Sequence, residues 1–219
     1  MVCLIAVDTA TGKPVDWMLA EKECFASWYT FFNQLAAKGI VPEGTVSDAQ
    51  KGLLKALSAV YPGIPHQRCL IHVHRQACIW LTKHPKTDAG ADLLILTHLL
   101  IGVRTRTGAE DWVQSFQEWV DTYRPFLAER THSDAKRWWY THRTLRAVRS
   151  LLANALPELY IFLKHTKIPR TSNHVEGGIN ARLRELLRCH RGLTAAQRGS
   201  FSCWFLSLKQ TQKPTRNAT

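Results

Sequence analysis

Thr45-Val46-Ser47-Asp48-Ala49-Gln50-Lys51 is a short β-prone run that ends on a carboxylate and hands over to a helical pattern. Leu53, Leu54, Leu57 and Val60 recur at helical spacing after it, and Tyr61-Pro62-Gly63 closes that helix. Upstream, Phe25, Trp28, Phe31, Phe32, Leu35 and Ala36 mark another amphipathic helix, stopped by Gly39. Further out, Val2–Val7 and Val15–Ala20 flank a turn at Thr9–Lys13 and read as a hairpin. Downstream of Pro65, Gln67–Val73 reads as a third strand, followed by a helix to about Thr82. The order β-β-α-β-α-β over residues 1–84 predicts an α/β domain.

From Pro85 the pattern changes. Leu93–Val103, then Trp112, Phe116, Trp119 and Tyr123, then Leu145–Leu163 all repeat at helical spacing. Residues 85–168 are expected to be an all-helical insertion without strands. Pro169 ends it, and residues 169–219 hold a last helix from about His174 to Cys189, capped by Gly192. A shorter helix around Phe201–Leu208 follows. No internal repeat is visible.

Composition excludes several classes. Of 219 residues, 45% are hydrophobic and 21% charged, which suits a globular chain and no fibrous or low-complexity one. The longest apolar stretch, Leu93–Val103, is too short to span a bilayer, and Met1–Val7 lacks the basic flank of a signal peptide. A soluble, cytoplasmic protein is expected. Lys and Arg outnumber Asp and Glu by 29 to 17, a net charge of +12. From Lys164 onward eleven basic residues face two acids, Glu176 and Glu185, so that quarter of the chain carries +9 of the excess. A concentrated basic surface suits a phosphate backbone, because each neutralised phosphate releases counterions. The six cysteines, at 3, 24, 69, 78, 189 and 203, show no compact disulfide spacing and read as reduced. Cys3, Cys24 and Cys203 are expected as small core residues.

Two carboxylates stand out. Asp48 ends a strand, where α/β proteins place functional groups, although a helix N-cap would use the same residue. Glu176 lies in Thr171-Ser172-Asn173-His174-Val175-Glu176-Gly177-Gly178-Ile179-Asn180. Asn173 with Glu176 is close to a capping box, but the adjoining Gly177-Gly178 weakens a helix and needs another reason, such as close approach of a backbone or ligand. Val175, Ile179, Leu183 and Leu186 form the apolar stripe, while Glu176, Asn180, Arg184, Arg188 and Arg191 fall together on another face. A carboxylate followed by arginines suits a site that holds a metal and grips a phosphate strand; a solvated face is the plainer alternative. Cys69 and His72, in Gln67-Arg68-Cys69-Leu70-Ile71-His72-Val73-His74, invite a zinc reading with His74 or Cys78 added. Structural zinc usually takes four ligands and no second pair follows, which argues against it. Trp138-Trp139-Tyr140, among Lys136, Arg137, His142 and Arg143, has the makings of a base-stacking cluster, but a helical-core cluster is the favoured reading.

Val46-Ser47-Asp48, Tyr61-Pro62 and Gln67-Arg68-Cys69-Leu70-Ile71-His72 together resemble the second-aspartate region of bacterial DDE transposases of the Mutator-like superfamily. The block Thr171–Asn180, with His190-Arg191-Gly192-Leu193, resembles that family's terminal glutamate block. The resemblance implies an RNase H-like mixed sheet with a helical insertion before the last catalytic helix. It implies in-line phosphoryl transfer on DNA, assisted by Mg²⁺ or Mn²⁺ bound to hard carboxylate oxygens. Asp48 would be the second catalytic acid and Glu176 the third, both as metal ligands. Asn180, Arg182, Arg184, Arg188 and Arg191 would contact DNA, and Cys69 and His72 would shape the site. The partners implied are transposon ends and target DNA, with a homodimer in the full-length enzyme, nucleoid-associated in the cytoplasm.

The family's first catalytic aspartate sits on a strand upstream of the one that Val2–Val7 resembles. The sequence reading therefore expects a sheet lacking its first strand in an N-terminally truncated, inactive transposase, with Asp8 and Asp16 as replacement candidates. Three alternatives remain at this point: a DNA-binding remnant or regulator, a Mg²⁺-dependent nuclease of the same fold, and a helical protein whose two acids only cap helices.

Overall fold

The computed structural model describes residues 1–133 and 137–211. The chain forms two compact units, one of residues 1–66 together with 167–219, the other of residues 67–166. It is mixed α/β, mostly helical, and its strands pair two by two in small sheets. Among the described residues no helix is long and apolar enough to cross a membrane.

The first unit is built around the hairpin. Strands β1 (Val2–Asp8) and β2 (Lys13–Ala20) pair antiparallel across a turn where Gly12 takes φ +69°. Side chains alternate across the ladder, as a period of two requires. Val2, Leu4, Ala6 and Met18 face helix α1 (Phe25–Ala37) and helix α2 (Lys51–Val60), joining Phe31, Phe32, Leu53, Ala56 and Leu57 in one core. Cys3, Ile5, Val7 and Trp17 turn the other way, against Ile179, Leu183, Phe205 and Leu206 from helices α8 (Ala181–Cys189) and α9 (Ala195–Thr211) and the segment before them. Buried Asp16 accepts hydrogen bonds from Gln34 (2.7 Å) and Lys38 (2.6 Å) of α1. Gly39, at φ +73°, ends α1 as the sequence predicts.

Strand β3 (Thr45–Ser47) matches the predicted strand. Strand β4 is confined to His66–Arg68, so the predicted strand over Gln67–Val73 is corrected: Leu70 opens helix α3 (Leu70–Leu81). Leu70, Val73, Ala77 and Leu81 are buried at helical spacing, and the Cys69 carbonyl accepts from the His72 and Val73 amides. Three apolar residues in four, Leu70, Ile71 and Val73, cannot by themselves separate a strand from the first turn of a buried helix.

The second unit packs α3 with α4 (Asp88–Leu100), α5 (Arg106–Thr122), the short α6 (Arg124–Ala128) and α7 (Arg143–Leu159) around one apolar core. Thr87 and Thr105 cap α4 and α5 through their hydroxyls, each accepting from the amide of a glycine three residues on. The indoles of Trp112 and Trp119 are buried and donate to the Leu96 and Ala89 carbonyls. One expectation fails here. The insertion contains an antiparallel pair, β5 (Arg130–His132) with β6 (Trp138–Tyr140). The aromatic cluster is therefore a strand with Trp138 and Trp139 exposed, not a helical core. Lys136 lies outside the described residues.

Two smaller corrections concern the cysteines and the C-terminal helix. All six cysteines are free, yet Cys24 stands at the N-cap of α1 instead of in a core, and Cys3 and Cys203 are half-buried. Burial, with Cys203 nearby, pushes the Cys3 thiol up to about 11. The last helix is α9, which runs well beyond the predicted Phe201–Leu208 at both ends.

Candidate active site

Asp48 follows β3 directly and is exposed. The strand's end is held by Ser47, whose hydroxyl lies 2.8 Å from His66 Nε2 and accepts from the Ala49 amide at 3.0 Å. Asp48 Oδ1 accepts from the Gln50 amide at 3.2 Å, a local turn that sets the carboxylate's direction. Between them Ala49, buried, takes φ +62°, the left-handed region that disfavours residues with a Cβ. Strain of this kind gathers at sites where geometry is over-determined. The helix cap is not Asp48 but Gln50, whose Oε1 accepts from the Leu53 amide at 2.8 Å. Gly52 lets this corner approach α1 closely: a Cβ there would stand 2.8 Å from the Phe25 nitrogen. Asp48 is thus released from the capping role that the sequence left open to it.

Glu176 belongs to the same unit but to different backbone. His174–Asn180 is π-helical and runs on into α8. The helix entry has no side-chain cap, so Asn173 and Glu176 do not form the capping box that their spacing suggests. Single π turns are uncommon and occur often at functional sites. Gly177 has a local reason, since a Cβ would sit 2.9 Å from Asn173 Oδ1. Gly178 faces open space. Along the outer face Arg184 reaches the Glu176 carboxylate at 3.9 Å and donates to the Asn180 carbonyl at 3.2 Å. Arg182 pairs with Glu185, and Arg188 and Arg191 are exposed. The predicted apolar stripe is buried at Ile179 and Leu183.

Asp8 and Asp16 are both engaged. Hydrogen bonds from Thr11 and the Ala10 amide hold the Asp8 carboxyl below its ordinary range. Burial alone would raise Asp16, but its bonds to Lys38 and Gln34 outweigh that and lower it.

Cys69 and His72 lie in the helical unit, at the start of α3, with Cys69 buried. The preceding Gln67 is wholly buried: its amide nitrogen donates to the Leu159 carbonyl (2.8 Å) and its oxygen accepts from the Phe162 amide (3.1 Å). This part of the block therefore pins α3 to the end of α7.

Sequence reasoning missed two side-chain groups. Arg130 lies over the Trp138 ring at 4.1 Å and Arg146 over Tyr140 at 3.5 Å, an exposed cationic-aromatic surface. The composition of Trp138–Tyr140 signalled it, but the helical assignment hid it. His74, Cys78 and His98 form the second group, and only tertiary structure brings His98 to the other two.

The unit that carries Asp48 and Glu176 is mixed α/β, with a strand-end aspartate, a glutamate in a π-helical turn and a basic helix after it. The chain belongs to the Mutator family of transposases, whose family model matches residues 5–191. Among curated proteins it is 28% identical over 121 residues to the transposase for insertion sequence element IS905 of Lactococcus lactis subsp. lactis (strain IL1403). That match takes in 53% of this chain and 29% of the relative, so the chain spans less than a third of that protein's length.

Proposed function

We propose that the chain supplies two catalytic acids, Asp48 and Glu176, to the Mg²⁺-dependent DNA phosphoryl-transfer chemistry of a transposase. The observation that carries this reading is the release of both carboxylates from helix capping. Gln50 caps α2 in place of Asp48, and Glu176 sits uncapped in a π-helical turn.

The donor chemistry fits the ion. Magnesium takes hard oxygen ligands and is commonly held by one or two carboxylates plus substrate phosphates. Asp48 and Glu176 would supply those oxygens, and the bound ion would stabilise charge on the attacking and leaving oxygens of an in-line displacement. The protein's own groups do the rest. The Ser47 hydroxyl and the turn at Ala49 fix the aspartate, while Arg184, Arg188 and Arg191 present a basic file to the phosphate strand. Arg182 and Asn180 flank that file. The reading implies an RNase H-like first unit; the strands themselves pair two by two, β1 with β2 and β3 with β4, and not in one mixed sheet.

A Mn²⁺ titration of the chain on duplex DNA, followed by paramagnetic resonance, tests the assignment. Asp48→Asn and Glu176→Gln should each weaken Mn²⁺ binding while leaving DNA affinity intact. Unchanged Mn²⁺ affinity in both variants would remove the two residues from the site. A strand-transfer assay then separates a transposase from a nuclease of the same fold, since only the former joins ends.

A further inference from the structure

We infer that His74, Cys78 and His98 form a binding site for a transition-metal ion, zinc above all, between helices α3 and α4. Nothing in the reading of Asp48 and Glu176 bears on it.

His74 and Cys78 are four residues apart on α3 and so project from the same face. His98, in the last turn of α4, meets them from the neighbouring helix. His74 Nε2 lies 3.1 Å from His98 Nδ1 and 3.5 Å from Cys78 Sγ, and the three donor atoms all lie within 4.8 Å of one another. Zinc–nitrogen bonds of about 2.0–2.1 Å and zinc–sulfur bonds of about 2.3 Å place tetrahedral ligand atoms roughly 3.3–3.6 Å apart. The two contacts of His74, at 3.1 Å and 3.5 Å, stand close to that spacing without an ion.

The donor set selects the metal class. Two imidazoles and a thiolate favour zinc and its neighbours over magnesium or calcium, which prefer oxygen. Cys78 is half-buried; on coordination its thiol would give up its proton to solvent as the sulfur–metal bond forms. Three protein ligands would leave a fourth tetrahedral position to water or another ligand.

The site explains what the sequence could not resolve about zinc here. Cys69 and His72 supply the visible short spacing, but the three-ligand group among the described residues uses the next histidine and cysteine along α3 and a partner twenty or more residues away.

Cobalt titration of the full, tag-free chain tests the proposal. One equivalent of Co²⁺ should bind with a thiolate-to-metal charge-transfer band, and Zn²⁺ should displace it. Cys78→Ser should abolish the band, and His98→Ala, at an exposed position that folding tolerates, should weaken Co²⁺ binding by roughly tenfold or more. Cys69→Ser should leave both intact. Absence of binding, a band that survives Cys78→Ser, loss of the band in Cys69→Ser, or unchanged affinity in His98→Ala would each overturn the assignment.

Discussion

Arg184 reaches back over the π-helical turn to Glu176, its guanidinium 3.9 Å from the carboxylate, while its Nε donates to the Asn180 carbonyl. The arginine is thereby parked beside the acid, aligned along the outer face of α8 and 71% exposed. An exposed pair of this kind contributes little to stability, so Arg184→Ala should shift unfolding by no more than about 0.5 kcal/mol. Its effect should fall on DNA instead. Fluorescence anisotropy over a salt series should show uniformly weaker binding, with the slope of log affinity against log salt reduced by about one. An unchanged slope would take Arg184 out of the interface.

The strained corner after Asp48 gives a sign that is unusual for a core substitution. Ala49→Gly relieves a left-handed backbone costing about 1–2 kcal/mol, against an entropic loss in the unfolded chain of about 0.4–1 kcal/mol. The variant should be more stable by up to about 1 kcal/mol in thermal melts. Asp48→Asn should be nearly neutral in the same melts because Gln50, not Asp48, caps α2. Gln50→Ala should cost about 0.5–1.5 kcal/mol.

Gln67 offers a test in the helical unit. Gln67→Leu leaves the Leu159 carbonyl and the Phe162 amide without that partner in a dry setting, at a cost of about 2–4 kcal/mol. Chemical denaturation with a helix-sensitive probe should show the loss. A cost below about 1 kcal/mol would mean that the amide is not the tie it looks to be.

Asp16 sets a pH dependence in the first unit. Its carboxyl is lowered on balance, so the contribution from Lys38 and Gln34 is present above the ordinary carboxylate range and is lost as pH falls through the lowered folded value. Lys38 is half exposed, which limits the contribution to about 1–2 kcal/mol. Urea denaturation at neutral pH should show Asp16→Asn less stable by that amount. The gap to the unsubstituted protein should close under acid conditions. A gap that persists there would assign the loss to packing instead of charge.

How much of this was legible in the sequence depended on how local each signal was. The hairpin, α1, β3 and α2 follow from period-two and helical repeats punctuated by Gly12, Gly39 and Gly63, each of which takes positive φ. Leu70–Val73 is ambiguous because so short a stretch, apolar except for His72, suits both states, and the deciding residues, Ala77 and Leu81, lie further on. Trp138–Tyr140 was absorbed into a helical block because its partner strand, Arg130–His132, is too polar to announce itself. The π-helical turn has no sequence signature beyond its glycines. His98 sits inside an apolar helix like an ordinary interruption, and its neighbours appear only once α3 and α4 are packed.

The hairpin described first is a party wall. One side belongs to the helices that carry the Asp48 corner, the other to the helices that follow Glu176. The alternation of the ladder, whose register shifts once at Ala6/Val7, sets which residues face which side. A slip of one residue would hand each core the other's side chains, and both acids would lose their footing at once. Asp48 and Glu176 are far apart in the chain, but the elements that carry them share a single mechanical reference, the seven residues of β1.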